Sequence, residues 1–254
     1  MVKTEQSRQK KLAKKRSKEI AKRKKLASEK NALKSVAGQI AAASRAPIDR
    51  CYVTGTLFES DDRLGIGSVI VTRPLSDGRV VFVCFLVDKL CLGVKDASVS
   101  VVMPSQLSES LDRMRSRMSI SSCDPVAAKK LVTDSVTWAA QFGLSPRGDY
   151  ERVKRIWSDV DETQCDQTFQ FGRDGKPCFI QGPNDSPAFI SQVMNTLSEH
   201  VGEGNYGFTR QIGGFDIDEG FLIDEEDAFE DAFDDANEIE PPNTGRLVRI
   251  DNAD

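Results

Sequence analysis

Histidine is nearly missing from this 254-residue chain, where His200 stands alone. Its six cysteines, Cys51, Cys84, Cys91, Cys123, Cys165 and Cys178, contain no C-x-x-C pair. Protein-built zinc sites draw on closely spaced Cys and His ligands, so this composition argues against one, and no metal or cofactor is expected. Long hydrophobic runs are also lacking. The longest, Val80–Val87, has eight residues, whereas a membrane-spanning helix needs about 20. The N-terminus has no apolar stretch of the kind a secretory signal carries. No aromatic residue precedes Tyr52, which excludes base stacking by the first part of the chain. Residues 211–245 contain no lysine or arginine.

What is present is charge, divided by sign. Residues 1–35 hold fourteen Lys/Arg and three Glu, a net of +11, while residues 211–245 hold thirteen Asp/Glu, a net of −13. The formal net charge of −4 is a cancellation that describes neither end. Between the ends lies enough ordinary sequence for one globular core. Three parts are expected: a basic helical arm over 1–44, an α+β globular unit over 47–210, and a mostly flexible acidic tail over 211–254. The middle unit divides further into a β-rich part, 47–103, and a part with helices and a hairpin, 104–210. Most cysteines sit in apolar runs, such as Cys84 in VVFVCFLV, and read as small buried hydrophobes with reduced thiols in a cytoplasmic protein.

The texture changes along the chain. Residues 5–44 read as one long helix, rich in Lys, Arg, Ala, Glu and Leu, with no Gly before Gly38 and no Pro before Pro47. Leu12, Leu26 and Leu33 share a heptad column, with Ala13, Ile20 and Ala27 beside it. That seam is too thin for a coiled coil. Short β-rich segments follow at Cys51–Leu57, Gly67–Arg73, Arg79–Val87 and Ala97–Met103, with Asp77–Gly78 as a hairpin turn. Val80–Val87 is apolar on both faces, so both faces should be covered. Helices are expected over Ser105–Met118, from an Asp124 cap to Phe142, over Asp149–Ser158, and from Pro187 to His200 behind a cap at Asn184, Asp185 or Ser186. Phe169 and Phe171 face Phe179 across a second expected hairpin, turned at Asp174–Gly175. A glycine-rich link, Gly202–Gly214, leads to the tail. The fold class is α+β: an antiparallel sheet built from hairpins, several packed helices, a long basic N-terminal helix and a flexible acidic C-terminal tail.

Two stretches, GRVVFVCFLVDKLCLGVKDA (Gly78–Ala97) and QFGRDGKPCFIQGPNDSP (Gln170–Pro187), resemble an uncharacterised bacterial protein family. Its pattern reads FLVDxxCLGVKD and FGxDGKPxxIxGPNDSP. The resemblance covers roughly residues 47–200, including the WSDVD stretch at Trp157–Asp161. It implies that both stretches belong to one recurring unit, and it carries no activity, catalytic residue or ligand.

The densest functional signal is KKLAKKRSKEIAKRKK, Lys10–Lys25, with ten cations and one Glu. Such a surface attracts phosphate backbones by counterion release, without base contacts. The candidate nucleic-acid-binding residues are Lys10, Lys11, Lys14, Lys15, Arg16, Lys18, Lys22, Arg23, Lys24 and Lys25. The expected function is non-enzymatic binding of nucleic acid, RNA or a ribonucleoprotein ahead of DNA. The acidic tail modulates it by meeting the arm or a basic protein, and no membrane partner is expected. Two alternatives stand beside it. One is a metal-dependent nuclease or phosphoester enzyme around Asp88, Lys95 and Asp96, with Asp61 and Asp62 as further oxygen ligands. The other is a protein-interaction module with solvated charged tails. Gly172, Gly175 and Lys176 do not match a P-loop, and the Gly182–Asp185 loop reads as turn chemistry. His200 reads as a helix C-terminal residue favoured by the dipole.

Overall fold

The computed structural model describes residues 5–32, 34–55, 57–59 and 65–210. All of them belong to the first of two units, Met1–Gly214 and Phe215–Asp254. The expected acidic tail, with any contact it makes, lies outside the described residues, as do Leu33, Asp61 and Asp62.

The N-terminal segment forms two helices where one was expected. Helix α1 spans Glu5–Ala32 and α2 spans Val36–Ala43. The break comes where Ser35 takes an extended backbone and its side chain accepts from Gly38 N, which starts a new helix. The two differ in burial. Within α2, Ile40 and Ala43 are fully buried, whereas in α1 Leu12 is 56% and Ile20 65% exposed. The apolar seam of α1 is therefore uncovered at these positions.

Strands β1 (Arg50–Thr54), β2 (Ile66–Pro74), β3 (Val80–Asp88), β4 (Gly93–Val102) and β5 (Ile120–Ser122) make one antiparallel sheet in the order β4-β3-β2-β1-β5. The β2–β3 turn uses Gly78 at φ +87°, and Asp77 accepts from Arg79 N. Val53, Val69, Phe85 and Ala97 are aligned across four strands and share one face. On that face Val81, Val83, Phe85 and Val87 pack with Ile40 of α2, with Leu131 and Val132 of α4 (Pro125–Ala140), and with Val153, Ile156 and Trp157. Phe85 stacks on Trp157 at 5.7 Å. The other face carries Tyr52, Ile70, Phe82 and Cys84, all buried, and α3 (Pro104–Arg117) packs there through Leu107, Leu111 and Met114. The doubly apolar β3 is thus covered on both sides, as its sequence demands.

A smaller substructure follows. Residues 150–158 make one α-turn, α5 (Tyr150–Val153), and then a 3-10 turn over Lys154–Trp157, in place of the single helix expected. The second hairpin is only one rung long. Asp174 (φ 54°) and Gly175 (φ 74°) form the expected turn, and Arg173 pairs with Lys176. The ladder stops there because the next rung would join Phe171 and Cys178, and Cys178 N is given to Leu90 O. Beyond Pro177, β6 (Cys178–Gln181) instead pairs in parallel with β7 (Gly207–Arg210), which lies inside the segment expected to be a link. Helix α6 (Pro187–Val201) makes the crossover between them. Of the three cap candidates Ser186 is the one used, accepting from Phe189 N. Among the described residues no helix is long and apolar enough to cross a membrane.

Candidate nucleic-acid interface

All ten candidate cations lie on α1 with exposed side chains. The helix continues without interruption through them, so their directions follow from about 100° of rotation per residue. Lys10, Lys14, Lys25, Lys18, Lys11, Lys22 and Lys15 then project within an arc of about 140°. Between Lys10 and Lys25 only Ala21 interrupts that arc. Arg16, Arg23 and Lys24 point elsewhere, on the sides that also carry Leu12, Ala13 and Ile20. Glu19, the one acid of the run, is paired with Arg23 at 3.0 Å, both well exposed. It therefore offsets a cation outside the lysine arc. From Lys10 to Lys25 the arc extends about 22 Å along the axis. The sorting depends on Lys10–Lys25 lying in one unbroken helix.

The residues of the enzyme alternative are spread over three separate tasks. Asp88 ends β3 fully buried, where Oδ1 accepts from Leu90 N (2.8 Å) and Cys91 N (3.1 Å) and Oδ2 from Leu92 N (3.2 Å). It closes the β3–β4 turn. Burial pushes its carboxyl up to about 6 against the pull of those N–H groups and of Lys95. Lys95 is the extra residue of a bulge, since Leu86 pairs with Asp96 while Val87 pairs with Val94. Its ammonium meets Asp185 at 2.8 Å, with both side chains mostly buried. Asp96 turns back to accept from Ala97 N. Among the described residues no group of three or more His, Cys, Asp and Glu side chains is placed to hold a metal ion.

The stretches Gly78–Ala97 and Gln170–Pro187 pack on each other. Asp185 accepts from Gly182 N (2.6 Å) as well as from Lys95, so the GPND turn is tied to β4. Cys178 N donates to Leu90 O, and Phe179 joins Cys91 and Leu92 in a core cluster with Phe142, Val193 and Leu197. Gly182 lies against Lys95 so closely that a Cβ there would fall 2.7 Å from Nζ. These polar groups serve the turn. His200, near the end of α6, bonds Thr196 O through Nδ1, which fits a helix-end role. Sequence reasoning passed over a different polar pair, Arg73 and Asp159. Arg73 is fully buried under the sheet and reaches Ala46 O and Asp159. Its only sequence signal is an arginine just past the apolar run Val69–Val71 of β2. Neither a protein-family model, nor a curated protein, nor a solved structure matches this chain.

Proposed function

We propose that this protein binds nucleic acid, RNA or a ribonucleoprotein in preference to duplex DNA, through the phosphates contacted by α1. The observation that supports this reading is the lysine arc: seven exposed ammonium groups on one side of one helix, with no acid among them between Lys10 and Lys25. Lysines act as point charges and need no fixed fork geometry, which suits a backbone read without regard to sequence. With no aromatic residue before Tyr52, sequence preference should be low. The α+β unit anchors the arm through α2, whose Ile40 and Ala43 are in the core. The tail, at −13, competes with the nucleic acid for the arm, and the protein works in the cytoplasm.

Fluorescence anisotropy with labelled single-stranded RNA and duplex DNA tests this on the full chain. Changing all ten cations to Gln should abolish RNA binding while the thermal transition of the globular unit stays in place. Removing residues 215–240 should tighten binding. Equal, weak binding by all three proteins would shift the reading to a protein partner.

A further inference from the structure

Cys51 opens the body of β1, and Cys123 follows β5 directly. Tyr52 is aligned with Ser122 and Val53 with Ser121, so the same antiparallel register sets Cys51 opposite Cys123. Cys123 N donates to Cys51 O at 3.0 Å. Opposed residues that share a backbone bond have Cα atoms about 5.5 Å apart, a spacing at which a disulfide closes without moving the strands. The two sulfurs are already 3.4 Å apart. Their exposure differs: Cys51 is buried, while Cys123 is half-exposed.

The geometry points to Cys51 and Cys123 as a reversible disulfide site that reacts with low-molecular-weight disulfides. The Cys123 thiolate attacks one sulfur of the small disulfide, releases one thiol and forms a mixed disulfide. The Cys51 thiol loses its proton and attacks the Cys123 sulfur, releasing the second thiol. In sum, two protein thiols are oxidised to one disulfide, and the small disulfide is reduced to two thiols. The order follows from access, because Cys123 is the less buried of the two. The hydrogen bond with Cys123, and then burial, hold the Cys51 thiol well above its ordinary pKa, so Cys51 does not start the exchange.

The site has a mechanical meaning. The chain passes from α3, on one face of the sheet, through β5 to α4, on the other, and Asp124, the N-cap of α4, is the next residue. A bond at Cys123 pins this crossing to β1 and closes a loop between positions 72 residues apart. Closing so long a loop restricts the unfolded chain and should raise the melting temperature on the order of 10 °C.

Oxidised glutathione is the probe. After exposure of the native full chain, peptide mapping without reduction should find Cys51 joined to Cys123 and the other four cysteines free. The melting temperature should rise and return on adding dithiothreitol. In Cys51→Ser the reaction should stop at a glutathione adduct on Cys123, because the resolving thiol is gone. Failure of the wild type to form this bond overturns the inference, as does a bond between another pair. A glutathione adduct that persists on wild-type Cys123 also overturns it. The wild-type map decides the matter even if the serine variant does not fold.

Discussion

At Asp88 burial and hydrogen bonding pull against each other. Three backbone N–H groups hold its carboxylate, yet the loss of water outweighs them and lifts the carboxyl from 3.8 to about 6. The folded chain therefore keeps this proton over a range where the unfolded chain has released it. Stability from Asp88 is full below pH 4, falls as pH rises towards 6, and is level above. The shift corresponds to about 3 kcal/mol. Asp88→Asn removes the titration. Urea unfolding at pH 4.5 and pH 7 should show the wild type losing most of that amount relative to the variant. Parallel behaviour of the two proteins would contradict the assignment. Lys95, seven residues on, illustrates a limit of reading the chain alone. The spacing of Asp88, Lys95 and Asp96 suggests one charged cluster, but the bulge at Lys95 turns it to Asp185, ninety positions away. No local pattern announces a bulge.

At the scale of elements, the strongly patterned segments were legible. The β2–β3 hairpin, the coverage of β3, and the helices opened by Pro125 and Pro187 follow from turn residues, alternation and caps. The misread hairpin depended on partners distant in sequence. The Asp174–Gly175 turn has hairpin chemistry, yet the bond from Cys178 N to Leu90 O ends its ladder, and β6 finds β7 instead. The α1–α2 break was also unread, because Ser35 is an acceptable residue inside a helix until its side chain caps Gly38. For α1 itself, binding should depend on direction around the helix. Replacing Lys14, Lys18 and Lys22, all within the arc, by Gln should weaken RNA binding far more than replacing Arg16, Arg23 and Lys24. Each phosphate left without its lysine should lower the steepness of the salt dependence by about 0.7 for single strands. Equal losses of affinity from both sets, measured by anisotropy, would mean that charge number matters and the helical face does not.

For the whole molecule, the central feature is a body that ends its chemistry in turns and caps, joined to an arm whose candidate cations all face outward. In the body, Asp88, Lys95 and Asp185 each have partners inside the fold. In the arm, the ten cations from Lys10 to Lys25 are exposed along the helix. That difference in exposure supports the proposal that the arm binds and the body positions it. The most direct measurement is the slope of log binding constant against log salt for labelled single-stranded RNA, on the intact chain and on the chain with all ten cations changed to Gln. If seven lysines contact phosphates, the intact chain should show a slope of about −5, and the variant a slope near zero with little binding left. A shallow slope for the intact chain, or a steep one that survives in the variant, would contradict the account.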